Sequence, residues 1–479
     1  MANFVQLYKS TDLNAPPLFG AAGSLIDVLN AVLVDGYGYT GLAITSITRS
    51  GTTATATVSA AVGLRIKDQA YVTVSGCTGT GAAQYNIGAL WTRASATTYT
   101  YTMLSDPGAS ASGTPVASLA LAVTSLTESG TNYTAVLTQS DSTLAVGQYI
   151  TFAGASPGGA NIAMKINTVT SPTQVVCTGP GSLGAISGTI TYQKSSLAWA
   201  KPFAGGTNAQ AYRSADTGSN RFYLQVVDTG TSTSNIYGAE VMTADQAVTS
   251  GQFPTTAQLA TGLFVRKSTT ADSTNARAWT IIGDDKTFYF ICNSADANLW
   301  HSFGFGYFIP FKPGDGFNTF IAGNMITGAS PATAYPGLGS IAGIGSTIGG
   351  IGLYVPRLYT QTGAAISSQL QGYGGLLTGT TMGTIGANSG AGAGITYPNP
   401  SDSGLYASQL LIFDATGSAR GRMPGYYQPL QILPLNNYDV VTGITGLSGV
   451  TLTTLSIGGG YSVSYVVGQC FVDTFGPWT

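Results

Sequence analysis

In several stretches of the chain, apolar and polar residues alternate with a period of two. Thr53-Ala54-Thr55-Ala56-Thr57-Val58, Tyr71-Val72-Thr73-Val74 and Thr98-Tyr99-Thr100-Tyr101-Thr102 all alternate, as half-exposed strands do. One stretch departs from this. Leu25, Val28, Leu29, Val32 and Leu33 recur at helical spacing. Ser24 precedes them as a candidate N-cap, Asp27 stands three residues on as the acidic half of a capping box, and Gly36 suits the C′ position. The pattern predicts a helix over 24–34. Its apolar stripe must pack outside residues 1–41, which are too few for a core.

The alternating pattern repeats itself. Ile44-Thr45-Ser46-Ile47-Thr48-Arg49-Ser50-Gly51-Thr52 is echoed 79 residues on by Val123-Thr124-Ser125-Leu126-Thr127-Glu128-Ser129-Gly130-Thr131. Tyr71 through Gly76 matches Tyr149 through Gly154 at an offset of 78, and the copies close with Gly113-Thr114 and Gly188-Thr189. A register kept through several strands marks a duplicated module. Strands every 8–12 residues with Gly, Ser and Asp turns read as an Ig-like sandwich or a compact barrel. We carry forward the Ig-like sandwich, with copies at 42–119 and 120–194.

From Leu197 the strands lengthen and aromatics rise: Arg221–Val227, Leu263–Lys267, Trp279–Ile282 and Thr287–Cys292, then Trp300-His301-Ser302-Phe303-Gly304-Phe305-Gly306-Tyr307-Phe308. This predicts an antiparallel β body over 195–322 that resumes at 401–479. A Gly-rich, nearly uncharged insertion lies between, at 323–400. The expected fold is therefore mainly β and multi-domain. Two tandem Ig-like repeats interrupt a larger antiparallel body, which also includes residues 1–41 and their helix. Domains whose termini lie close together can be spliced into a turn in this way.

Composition narrows the function. Charged residues make up 8%, against about 25% in ordinary domains, so Gly, Ser, Thr and Tyr carry the surface. The net charge is −2, and no basic run exceeds Arg266-Lys267. That argues against a nucleic-acid groove, which needs many phosphate neutralisers. Cys77, Cys177, Cys292 and Cys470 are far apart in sequence. They read as buried thiols, not as a metal knuckle. The N-terminus lacks the pattern of a secretory signal, and no apolar run reaches membrane-spanning length. We expect no cofactor, no metal and no membrane insertion.

Several stretches resemble a family of tailed-bacteriophage virion proteins. They are Phe4-Val5-Gln6-Leu7-Tyr8-Lys9-Ser10-Thr11-Asp12, Asp35-Gly36-Tyr37-Gly38 and Ala198-Trp199-Ala200-Lys201-Pro202-Phe203, joined by Leu263-Phe264-Val265-Arg266-Lys267-Ser268 and Gly421-Arg422-Met423-Pro424-Gly425. In that family the Gly-Tyr-Gly segment runs almost directly into the Trp-x-Lys-Pro-Phe segment, so 42–194 resembles an insertion. The resemblance implies a virion structural protein of the tail or neck, assembled in the bacterial cytoplasm. Its implied partners are other virion proteins of the tail, portal, neck or capsid, and further copies of itself as a homo-oligomer. The alternatives are a capsid decoration protein and a receptor- or glycan-binding adhesin that contacts host-surface glycans. No catalytic residue is implied.

The candidate chemistry is sparse. His301 is the single histidine; a Ser-His-Asp triad would have to use it, and no Gly-x-Ser-x-Gly elbow is present. A glycosidase needs paired carboxylates. Asp284, Asp285 and Asp315 sit in turn signals, and Glu128 and Glu240 are the glutamates of the chain. The remaining candidate is an aromatic stripe, Tyr289, Trp300, Phe303, Phe305 and Tyr307, offered as a glycan platform or subunit interface. A β core explains the same stripe more simply.

Overall fold

The fold was derived from a computed structural model. It describes residues 4–202, 204–214, 222–231, 233–241, 263–294, 300–315, 318–325, 351–354, 369–372, 377–378, 381–382, 402–413, 419–429, 435–458 and 468–478. Most of the Gly-rich stretch 323–400 lies outside them. The chain divides into two compact units. One comprises Tyr8–Ala198 with Asp272–Ala276; the other comprises Met1–Leu7, Trp199–Ala271 and Arg277–Thr479.

The first unit opens with the end of β1 (Gln6–Lys9), β2 (Leu18–Gly20) and helix α1 (Ser24–Leu29). It then holds the two repeats. The first is built from β3 (Leu42–Ser50), β4 (Thr53–Val58), β5 (Gln69–Thr78), β6 (Gly88–Arg93), β7 (Thr98–Thr102) and β8 (Ser112–Ser118). The second is built from β9 (Leu121–Ser129), β10 (Asn132–Leu137), β11 (Tyr149–Ala153), β12 (Ala163–Ser171), β13 (Gln174–Thr178) and β14 (Thr191–Lys194). Each closes on itself, in the orders β3-β4-β7-β6-β5-β8 and β9-β10-β13-β12-β11-β14. Position for position these are the same topology, so the duplication extends from sequence to strand order.

This corrects the expected Ig-like sandwich. The repeats are six-stranded antiparallel barrels, because the first and last strands pair: Leu42 with Ala117 in one, Tyr192 with Leu121 in the other. Closure removes the two open edges that a sandwich would leave. It also puts the entry and exit of each barrel side by side. The interiors are filled by the apolar phase of each alternation: Trp91, Tyr99 and Tyr101 with Val72 and Val74 in the first, Tyr133, Phe152, Met164 and Tyr192 in the second. Trp91 stacks on Tyr101 at 5.6 Å between centroids. Cys77 and Cys177 are free, buried thiols in these cores, as expected.

Two local devices recur in both barrels. The matched glycines, Gly76 within β5 and Gly154 directly after β11, have φ of 81° and 78° and lie where the third strand crosses the last. A Cβ on Gly76 would sit 2.5 Å from the Thr114 carbonyl oxygen, and one on Gly154 would sit 2.2 Å from that of Thr189. Gly113 of β8 and Gly188, just before β14, face them with φ of 92° and 113°. The residue after each crossing glycine is then bracketed by an asparagine side chain. Asn86 accepts from the Cys77 N–H and donates to its carbonyl, both at 2.9 Å. Asn161 does the same for Ala155 at 2.8 and 2.9 Å.

The helix differs from its expected form and place. Gly23, not Ser24, is the N-cap, and the helix continues as a π-helix over Asn30–Asp35. The Ser24 hydroxyl instead accepts from the Phe19 N–H at 2.7 Å, tying β2 to the helix start. Every residue of Ser24–Leu29 is buried, so this helix is enclosed and does not sit as an amphipathic stripe on a surface. It groups with the barrels, whereas the apolar pattern had suggested packing on the body that resumes at Trp199. Asp27 pairs with Arg65 of the first barrel at 3.0 Å, and the Tyr39 hydroxyl donates to the Asp27 carbonyl at 2.7 Å.

The second unit is a β-sandwich. Its strands are β15 (Ala204–Gly206), β16 (Ala209–Tyr212), β17 (Phe222–Val227), β18 (Thr233–Val241), β19 (Leu263–Arg266), β21 (Trp279–Gly283), β22 (Thr287–Asn293), β23 (Trp300–Tyr307), β24 (Ile309–Pro310), β25 (Thr319–Met325) and β26 (Ile351–Tyr354), followed by the strands of the C-terminal part. β20 (Asp272–Arg277) pairs instead with β2. Among the described residues, the larger sheet has eleven strands in the order β1-β21-β22-β23-β25-β19-β18-β17-β16-β15, with β26 also on β25. A seven-stranded sheet contains Gln369–Gly372, Ala407–Phe413, Ala419–Pro429, Gly468–Asp473, Leu452–Gly458, Val440–Val441 and β24. The sheets meet through one core, with Ile282, Tyr289 and Phe320 on one side and Leu410, Met423, Tyr426, Leu455 and Val472 on the other. Burying each large apolar side chain contributes about 1.5–3 kcal/mol, so this layer is the main stabiliser of the unit.

Candidate functional site

The aromatic stripe is divided between the two faces of the larger sheet. In the β22–β23 register, Phe288 faces Phe305, Phe290 faces Phe303 and Tyr289 faces Gly304. Alternation therefore puts Phe303 and Phe305 with Phe288 and Phe290, while Tyr289 points the other way into the sandwich core. Trp199 covers the phenylalanine face: its ring meets Phe288 edge-on at 5.2 Å, and its indole N–H donates to the Asp284 carbonyl at 2.8 Å. On the other face the Tyr289 hydroxyl donates to the Pro424 carbonyl at 2.8 Å, with Tyr426 at 5.3 Å. Tyr289, Phe303 and Phe305 are at most 2% exposed, and Tyr307 is half-buried. The Trp300 side chain lies outside the described residues. A glycan needs ring faces open to solvent, so the buried three are core residues and not a sugar platform.

The titratable candidates are structural too. His301 is buried opposite Cys292 on the neighbouring strand. Burial, with the Arg266 charge added, pushes its pKa down to about 3, so it stays neutral at physiological pH. Asp284 accepts from the Lys286 and Thr287 N–H groups at 2.8 and 2.7 Å, which is the turn role expected of it. Burial raises its pKa to about 6. Asp315 is held by Arg420 at 2.6 Å. Glu128 accepts from the backbone N–H groups of Leu183 and Gly184. Among the described residues, no three His, Cys, Asp or Glu side chains are grouped to hold a metal ion, and no helix is long and apolar enough to cross a membrane.

What the barrel unit does contain is a buried ionic junction. Asp12 follows β1 in a tight turn and accepts from the Lys9 N–H at 2.9 Å. Its Oδ2 also accepts from Lys194 Nζ at 2.7 Å, with both side chains buried, and from the Tyr37 hydroxyl at 3.4 Å. Lys194 lies at the end of β14, over the Tyr8 ring at 5.1 Å. The Tyr8 hydroxyl donates to the Ser195 carbonyl at 2.6 Å. Lys67 of the first barrel donates to the Asp12 carbonyl. Next to these, Asp141 accepts from Tyr192 at 3.2 Å and from the Thr143 hydroxyl at 2.6 Å. Asn14 completes the fastening: its side chain donates to the carbonyls of Tyr71 and Leu119 and accepts from the Tyr71 N–H. Gly36 and Gly38 leave room for Gln193, which donates to the Asp35 carbonyl at 3.1 Å. Asp12, Asp141, Thr143, Tyr192 and Lys194 border a recess with space for about one water molecule. It is a structural joint, too small for a substrate.

No motif in the sequence singles out this joint as a site. Part of its signal lies in the stretches Phe4–Asp12 and Asp35–Gly38, whose Tyr8, Asp12 and Tyr37 meet here. Lys194, Lys67 and Asp141 come from elsewhere and carry no local mark.

The joint titrates at alkaline pH. Burial pulls Lys67 down to about 8, with Asp12 and Asp141 opposing the shift and Lys194 adding to it. The folded-state pKa is thus below the unfolded one, so stability rises as pH increases from about 8 towards 10.5. Burial also holds Tyr8 and Tyr37 well above their usual range. Their stabilising contribution is complete below pH 10 and is lost above it, when the unfolded tyrosines ionise. Lys67 should therefore add to denaturant stability as pH rises above 8, while the buried thiols and tyrosines, whose pKa values burial raises, remove stability as their unfolded forms ionise above about pH 9 and 10. In Lys67→Met the stability relative to wild type should change between pH 8 and 10, because the variant lacks the upward contribution of Lys67. An unchanged pH profile in that variant would show that Lys67 makes no such contribution.

No family model matches the chain, and no curated protein matches it significantly.

Proposed function

We propose that this protein is a non-enzymatic structural component of a tailed-bacteriophage virion, associated with the tail or neck, that assembles into a symmetric homo-oligomer. The observation that supports the reading is that two of the family-like stretches, Phe4–Asp12 and Asp35–Gly38, meet in one buried joint. Tyr8, Asp12 and Tyr37, drawn from two of those stretches, grip Lys194 and Ser195, a few residues before the third stretch begins at Ala198. All of these residues lie in the barrel unit, where they tie the N-terminal segment to the barrels. Asp284 held in its turn, Asp315 paired with Arg420 and the buried neutral His301 support a protein that does no chemistry. In this reading the barrel pair is an added module, whose edge-free closure keeps an exposed β domain from pairing with others. In form the modules are closed barrels.

Imaging of particles from cells that make the protein, together with native mass measurement, tests this. Ordered copies in a ring or other symmetric assembly on the particle are expected. A monodisperse monomer that never joins particles would refute the proposal, and copies confined to the head surface would move it to the capsid-decoration alternative.

A further inference from the structure

We propose that Lys267 and Asp228 become joined by an intramolecular isopeptide bond once the second unit has folded. Asp228 directly follows β17 and Lys267 directly follows β19. Both strands pair with β18, which lies between them: Val227 is opposite Asn235 and Thr233 is opposite Arg266. The two side chains reach over the start of β18 and touch, Lys267 Nζ against Asp228 Oδ1. Ser234 of β18 donates its hydroxyl to the same oxygen. The side chains of Lys267 and Asp228 are 0% exposed, and Ser234 is fully buried.

Burial makes this contact more than an ordinary ion pair. Removing both groups from water disfavours their charged forms, and an uncrosslinked pair in such a place carries a large desolvation penalty. Burial lowers the Lys267 pKa, against the opposing pull of Asp228, which favours the amine that can act as a nucleophile. A proton passing from the ammonium to the carboxylate yields a neutral amine beside a carboxylic acid. The nitrogen lone pair then attacks Cγ of Asp228. The new C–N bond forms, the C–O bond to the hydroxyl breaks, and the hydroxyl departs with a second proton from nitrogen as water. One ammonium and one carboxylate become one amide and one water, with no oxidant or other co-reactant. The fold supplies the effective concentration that makes amide formation feasible. Ser234 is a positioning residue that fixes Oδ1 and is placed to pass a proton to the leaving hydroxyl.

The product would replace two buried charges with a neutral amide and link β17 to β19 across β18, closing a loop between residues 39 apart.

The test is the intact mass of the purified, denatured full-length protein. It should be lighter than its sequence mass by one water, and a protease digest should contain a branched peptide holding both Asp228 and Lys267. Lys267→Met and Asp228→Ala should each have the full sequence mass. Ser234→Ala should show a mixture of crosslinked and open protein early after synthesis, shifting to crosslinked with time. Wild-type protein at full sequence mass overturns the proposal, as does a water loss that persists in Lys267→Met. If the variants do not fold, the wild-type mass and the branched peptide decide the matter alone.

Discussion

Asp12→Ala should destabilise the barrel unit by about 3–5 kcal/mol, the range for removing one partner of a buried ion pair. Asp12 Oδ2 accepts from Lys194, Tyr37 and the Lys9 N–H. Its loss leaves the Lys194 ammonium, 5% exposed, without its counter-charge. Lys194 already titrates below its usual range because burial outweighs Asp12. The pair therefore holds the joint in one arrangement more than it adds net energy. That distinction gives a second, sharper expectation. Asp12→Leu combined with Lys194→Met removes both charges, and it should recover most of the loss, because apolar replacement of a buried pair is often close to neutral. Denaturant unfolding of the full chain measures both. A single-variant loss below about 1 kcal/mol would mean that the joint is solvated.

The joint also changes what an excision of 44–192 would do. The sequence suggested that the repeats interrupt a body that includes residues 1–41. In the fold, α1 and the residues around it are buried within the barrel unit. Asp27 is paired with Arg65, and Asn14 is bonded to Tyr71 and Leu119. Cutting out the barrels would strip those partners away.

What could be read from the sequence follows from what each pattern encodes. The period-two alternation and the offsets of 78 and 79 made the β content and the duplication visible, because strand burial and repeat register are local. Barrel closure was not visible. It depends on the pairing of Leu42 with Ala117 and of Leu121 with Tyr192, between strands far apart in the chain. The helix was visible, but its surroundings were not. Spacing identified an apolar stripe, while the burial of Asp27 and Ser24 as well shows that the whole circumference is enclosed. The aromatic stripe was legible as aromatic, yet its division between two faces required the β22–β23 register. The Asn86 and Asn161 brackets do leave a signal in the sequence: each asparagine is followed by isoleucine, and the two pairs lie at equivalent places in the repeats. The joint at Asp12 was half legible, since the family-like stretches held Tyr8, Asp12 and Tyr37, while Lys194 and Lys67 carry no local mark.

The glycine crossings supply the other large effect. Gly154→Ala should cost about 2–5 kcal/mol, the sum of a left-handed backbone penalty of about 1–2 kcal/mol and overpacking of about 1–3 kcal/mol. At Gly154 φ is 78° and the new methyl would fall 2.2 Å from the Thr189 carbonyl oxygen. That neighbour is backbone and cannot rotate away. Gly188 already fits its own backbone against the Gly154 carbonyl, with a Cβ position 2.3 Å away, so neither strand can yield without opening the seam between β11 and β14. The same should hold for Gly76→Ala in the first barrel, against the Thr114 carbonyl at 2.5 Å. Gly130→Ala separates the two causes. Its φ is 64°, but nothing lies within 4 Å of the added carbon, so it should lose only the backbone share, about 1–2 kcal/mol. Thermal or denaturant unfolding of the three variants beside wild type gives the comparison. Equal losses at Gly130 and Gly154 would show that the crossing itself carries no cost, and that the matched glycines serve only the turn of the chain.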